Sequence, residues 1–205
     1  MTTEIIIAMV LLSFSMSITP GPVNMLIISS GINYSFKKTF SFVSGATIGF
    51  TLLLIFIGFG FITVLENYPI FLKTLSIIGS LFIMYMGYKI ITSIPTLGFE
   101  NQENKTLKFY EGFLLQWLNP KAWIACVAGV SMFSQTTTHL IIFIVIYFIL
   151  CYIALSFWAF FGDKASKFFY SKKRLKIFNI FMGILLIIPA VFLLFNNIFN
   201  LHPSV

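Results

Sequence analysis

Two short stretches carry the residue types that could do chemistry. The first is Thr19-Pro20-Gly21-Pro22 with Asn24 just beyond it, and the second is Asn119-Pro120-Lys121. Proline has no backbone N–H and clashes with the preceding turn, so neither stretch can continue a regular helix. Yet both sit among Ile, Leu, Val and Met. A break in such surroundings leaves unpaired carbonyls at the end of one half-helix and unpaired N–H groups at the start of the next. Facing hydrocarbon these groups are costly, but lining a wet cavity or holding a ligand they are tolerated. Helix N-terminal ends attract anions and C-terminal carbonyls attract cations, so a pair of breaks suits a zwitterion such as an amino acid. Lys121 adds an ammonium. It lies ~18 Å along its apolar run, near the middle of a hydrocarbon core ~30 Å thick, where an ionisable side chain is costly and functional by default. The expectation is that Lys121 holds the substrate carboxylate while carbonyls near Ser17 and Ile18 take the amine.

The elements that position these residues follow from composition. Of the 205 residues 59% are hydrophobic and only 9% charged, against roughly 25% charged in a soluble domain. An integral membrane protein is the direct reading. Apolar runs cover roughly 5–34, 40–64, 69–93, 109–133, 138–162 and 175–197, six spans in all. The first run is long: from Glu4 to Lys37 a continuous helix would reach ~50 Å, so it must tilt, unwind or bend. Its start lacks a basic segment and a cleavage site, so it reads as a span rather than a signal peptide. The broken runs are the first and the fourth, equivalent members of two three-span halves at about 1–93 and 109–197. Halves with an odd number of spans run in opposite directions, the pattern of an inverted-repeat transporter with its site at the repeat interface. The fold class expected is therefore an all-α integral membrane protein, six transmembrane helices as two inverted three-helix repeats, forming one transporter domain over residues 1–205.

The net charge of +7 reads as topology rather than as nucleic-acid binding. Lys37 and Lys38 follow the first span, Lys89, Lys105 and Lys108 the third, and Lys164, Lys167, Lys172, Lys173, Arg174 and Lys176 the fifth, against Lys73 alone on the other side. The positive-inside rule puts those three connections in the cytoplasm and both termini outside.

At the two breaks the sequence resembles the LysE/RhtB family of bacterial amino-acid exporters. "TPGPVNMLIISSGINYSFKKTFSFVSGATIG" is similar to the family's N-terminal signature, "LFIMYMGYKII" to its third-span pattern, and "GFLLQWLNPKAWIACVAGVSMF" to its Asn-Pro-Lys fourth span. The resemblance covers nearly the whole chain. It implies export of amino acids or related small metabolites across the bacterial inner membrane, driven by the proton gradient. It also implies that Pro20, Gly21, Pro22, Asn24, Asn119, Pro120 and Lys121 lie near the substrate site. One position departs: many members carry an acid in the second span where this chain has Phe50, and no acid lies deep in any span, since Glu66, Glu111 and Asp163 stand at span ends.

Other features weigh less. Gly45-Ala46-Thr47-Ile48-Gly49 is a GxxxG pattern that seats a close helix crossing, either inside one chain or in a homo-oligomer. Cys126 and Cys151 form no CxxC pair and read as small buried residues. His139 and His202 stand alone, so no metal site and no cofactor is expected. "SKKRLK" at 171–176 reads as a topogenic loop beside membrane lipid. The alternatives are export of another small solute or a metal ion, or a membrane-embedded enzyme. The first lacks ligand clusters for a metal, and the second lacks a buried base or paired acids.

Overall fold

The computed structural model describes residues 2–61, 69–93, 106–168 and 171–199. Glu66, Lys105 and His202, and residues 94–105 of the polar connection, lie outside the described residues. The described chain is helical without strands: α1 (Thr3–Ile18), α2 (Pro22–Tyr34), α3 (Phe36–Phe56), α4 (Pro69–Thr92), α5 (Phe109–Trp117), α6 (Pro120–Phe133), α7 (Thr137–Ala165) and α8 (Lys172–Phe199). A π-helical turn over Ile57–Phe61 follows α3, with Phe59 and Gly60 leaving helical geometry.

Both breaks fall where the prolines demand. Thr19, Gly21 and Asn119 each precede a proline and each is extended, with φ/ψ of −62/128, −164/−179 and −96/109, because a residue before proline is pushed out of the helical region. The non-helical residues are narrower than expected, however. Pro22 and Pro120 are the first residues of α2 and α6. At that position a helix has no partner for the N–H in any case, so a proline costs nothing there. The axes of α1 and α2 differ by 58°, which is how the over-long first run is accommodated.

Four helical segments among the described residues, Phe36–Gly60, Lys73–Thr92, Thr137–Phe168 and Lys172–Phe195, are long and apolar enough to cross a membrane; the bent α1–α2 pair makes a fifth. The remaining expected span, the fourth at 109–133, is divided into 9-residue α5 and 14-residue α6, each shorter than the ~20 residues a crossing needs. The outer surface is apolar: α8 exposes Ile177, Phe181, Ile188 and Phe192, and α7 exposes Ile141, Ile149, Phe157 and Phe161. Such continuous apolar exposure is a surface for hydrocarbon, not water.

Glycines set the packing at several seams, two of which hold the broken spans in place. A Cβ on Gly45 would stand 1.9 Å from the Phe109 carbonyl oxygen, one on Gly49 2.9 Å from that of Phe113, and one on Gly112 2.4 Å from that of Phe42. The GxxxG pattern is therefore spent on α5 of the same chain. Likewise a Cβ on Gly31 would stand 2.5 Å from the Ala159 oxygen and one on Gly162 2.5 Å from the Ile28 oxygen, fixing α2 on α7. The helix α4 packs along α8.

Away from the breaks, polar side chains tie the helix ends together. Lys89 forms an ion pair with buried Glu111, which also accepts from the Lys108 N–H at 2.8 Å. Asn33 and Asn179 exchange amide hydrogen bonds of 2.8 and 3.0 Å, and Asn179 also donates to Ser93 Oγ at 2.9 Å. Lys89 is thus neutralised by an acid on α5 rather than standing as a free topogenic charge, because burial of Glu111 requires a partner.

Candidate functional site

The end of α1 presents the carbonyls that a helix C-terminus leaves open, and side chains from three other elements converge on them. Asn24, at the start of α2, reaches back across the break: its Nδ2 donates to the Ser17 carbonyl at 2.9 Å and to the Thr19 carbonyl at 3.3 Å. Trp158 of α7 donates Nε1–H to the Ile18 carbonyl at 3.2 Å. Lys121 of α6 donates from Nζ to the Thr19 carbonyl at 3.0 Å. A cation at the negative end of a helix is favourably placed. The carbonyls expected to wait for a substrate amine, those of Ser17 and Ile18, therefore already have donors, and the ammonium of Lys121 lies on Thr19 rather than free at the head of α6. The reason is that helix-end carbonyls out of water need a donor whether or not a ligand is present.

The second break is closed in the same manner. Asn119 caps α6, its Oδ1 accepting from the Lys121 N–H at 3.1 Å. Trp123 donates Nε1–H to the Trp117 carbonyl at 2.7 Å. The two breaks meet: a Cβ placed on Gly21 would stand 3.3 Å from Lys121 Nζ, so the absent side chain leaves the ammonium its path to Thr19.

Between them is a cavity with about 40 Å³ open to the centres of water-sized molecules, lined among others by Gly21, Pro22, Asn24, Asn119 and Lys121. Pro20 and Pro120 shape the breaks without lining it. The cavity wall includes side chains that sequence reasoning did not assign to the site: Gln116, Tyr147, Cys151, and the hydroxyl of Ser17, of which only the carbonyl was expected there. Their only signal in sequence was a polar atom inside an apolar run. Phe50 also lines it and stacks on Tyr147, with ring centroids 4.4 Å apart, so an aromatic pair fills the place where the resemblance led one to look for an acid. Both cysteines are buried and free. Among the described residues, no group of three or more His, Cys, Asp or Glu gathers to hold a metal.

Comparison with known proteins gives this geometry a context. The sequence model of the LysE type translocator family matches residues 14–197. A cysteine/O-acetylserine efflux protein of Escherichia coli O1:K1 is 29% identical over 130 residues, 63% of this chain and 65% of the relative. One of Escherichia coli O139:H28 is 29% identical over 180 residues, 85% of this chain and 90% of the relative. One of Salmonella typhimurium is 29% identical over 124 residues, 60% of this chain and 62% of the relative. In the first of these alignments the chain spans less than two-thirds of the relative's length. No solved structure matches the chain significantly. A translocator family and several apolar helices set aside the enzyme reading and describe a multi-pass protein of the bacterial inner membrane. With the family model covering nearly all of the sequence, both breaks included, the chain belongs to the LysE type translocator family.

Proposed function

We propose that this protein is a secondary transporter that exports amino acids across the bacterial inner membrane, coupled to the proton gradient. The observation that carries the reading is the ammonium of Lys121 on the carbonyl that ends α1, beside a cavity enclosed by both helix breaks. A zwitterion entering that cavity offers Lys121 a carboxylate and offers the Thr19 carbonyl a replacement ammonium. Exchange of partners then leaves no charge uncompensated. No carboxylate lines the cavity among the described residues, so proton coupling runs through Lys121. The relatives' names make cysteine and O-acetylserine the first substrates to test.

The arrangement of the chain as one domain of two inverted halves belongs to the same proposal. Helix contacts support it: the first broken span packs on α7 while the fourth packs on α3, and α4 packs on α8. These are the pairings that an exchange of the halves interchanges or preserves. For topology, single cysteines near residues 37, 105 and 172, in a chain lacking Cys126 and Cys151, are expected to resist a membrane-impermeant thiol reagent in intact cells. Rapid labelling at Ser171 from outside would reverse the orientation.

The test of function is direct. Purified protein in liposomes preloaded with labelled L-cysteine under reducing conditions, or with labelled O-acetyl-L-serine, is expected to release label faster than protein-free liposomes. An imposed pH gradient is expected to change that rate. Release no faster than the bare membrane for every amino acid tried would sink the exporter reading.

A further inference from the structure

Ser17 has a buried hydroxyl that the described protein leaves without a hydrogen-bond partner. An unpaired buried hydroxyl costs about 1–3 kcal/mol, and native interiors keep few of them. The ordinary remedy is available one turn earlier on the same helix, where Ser13 Oγ donates to the Met9 carbonyl at 2.7 Å. Ser17 does not take the equivalent bond. It lines the cavity, 7% exposed, and its hydroxyl lies beside the Tyr147 hydroxyl and the Cys151 thiol, which line the same wall. Behind Cys151, the buried Thr47 hydroxyl reaches the same thiol. The Phe50–Tyr147 stack closes the wall with apolar surface, and among the described residues no carboxylate reaches it. The charged end of the cavity, at Lys121 and Thr19, therefore faces a neutral end of hydroxyl and thiol groups, in which Ser17 Oγ has no well-formed hydrogen bond.

We propose that Ser17, with Tyr147 and Cys151, forms the side-chain seat of the amino-acid site, selecting a short uncharged side chain that carries a hydrogen-bonding group, a hydroxyl, a thiol or an ester oxygen. The inference rests on the exporter reading, with Lys121 as the anchor for the carboxylate. A hydroxyl or thiol both donates and accepts, so it satisfies Ser17 where a methyl group cannot. A site built to hydrogen-bond a substrate group rejects the analogue that lacks it, because its own polar atoms then stay unpaired. A basic side chain finds no counter-charge at this wall and is rejected by desolvation.

The test compares efflux of three labelled probes from proteoliposomes: L-cysteine, its methyl isostere L-2-aminobutyrate, and L-lysine. The wild type is expected to release cysteine about 10-fold faster than 2-aminobutyrate, the equivalent of about 1.4 kcal/mol, and lysine slowest. Ser17→Ala is expected to narrow the cysteine-to-aminobutyrate ratio to within about 2-fold, and its thermal midpoint is not expected to fall, since the hydroxyl removed is unpaired. Ser17→Cys, which keeps a polar tip, is expected to keep the preference and decides the matter if Ser17→Ala transports nothing. Equal wild-type rates for cysteine and aminobutyrate, lysine released as fast as cysteine, or an undiminished preference in Ser17→Ala would each overturn the seat while leaving the exporter intact. A wild type that releases none of the three overturns the seat, and the exporter reading falls with it only if no other amino acid is released either.

Discussion

Lys121→Met folds, inserts and fails to export: that is the expected result of removing one charge from the candidate site. Methionine keeps the length of the side chain and loses the ammonium that lies 3.0 Å from the Thr19 carbonyl. Truncating one member of a buried, hydrogen-bonded charge pair costs about 2–5 kcal/mol, so a substrate carboxylate left without its partner should reduce efflux by about 30-fold or more. The cost to stability is smaller. Asn24 still donates to the Thr19 carbonyl, and the net worth of a hydrogen bond to a charged group is about 1.5–3 kcal/mol. Efflux in proteoliposomes and the thermal midpoint in detergent separate the two effects. Lys121→Arg should also be impaired. Guanidinium keeps its charge but needs more room than the space facing Gly21 gives, and it does not give up its proton. Wild-type efflux by Lys121→Met, with unchanged pH dependence, would remove Lys121 from both anchoring and coupling.

The second large effect is structural. Gly45→Ala adds one carbon where a Cβ would stand 1.9 Å from the Phe109 carbonyl oxygen and 2.7 Å from its carbon. Those are backbone atoms of α5 and cannot swing aside, so α3 and α5 must separate. Overpacking of this kind costs typically about 1–3 kcal/mol, and this contact belongs at the upper end, a fall in thermal midpoint of about 5–10 °C. Gly21→Ala makes the contrast. Its Cβ would meet the flexible end of Lys121 at 3.3 Å, and the extended backbone at Gly21 accepts any residue. It should spare the midpoint and slow export. A Gly45→Ala midpoint equal to the wild type would show that the α3–α5 seam has slack.

How far the sequence carried can be judged from particular residues. Runs at 69–93 and 138–162 correspond to Pro69–Thr92 and Thr137–Ala165, because the width of the bilayer and the length of an apolar helix are the same constraint. The run beginning at 40 starts as a helix already at Phe36: Lys37 and Lys38 end the hydrocarbon signal but not the helix. The breaks were legible because proline's missing N–H is a local fact. The donors that cover the freed carbonyls were not. Trp158 is 140 residues from Ile18, and Lys121 is 102 from Thr19. Nothing local marks a tryptophan in an apolar helix as the partner of one distant carbonyl. The same holds for Gly45 and Gly49, whose spacing announces a close neighbour without saying which helix it is.

The glycine seams also say where this molecule can yield. Where two backbones touch without side chains between them, there are no rotamers to re-sort, and a small slide meets a hard wall at once. The α3–α5 and α2–α7 pairs therefore behave as welded plates. Any motion that empties the cavity must carry each plate whole and hinge where the helices are interrupted, Thr19 to Gly21 and Leu118 to Asn119. On that reckoning the two proline breaks are the joints of a rigid mechanism as well as the proposed binding surface, which would place the cargo on the axle.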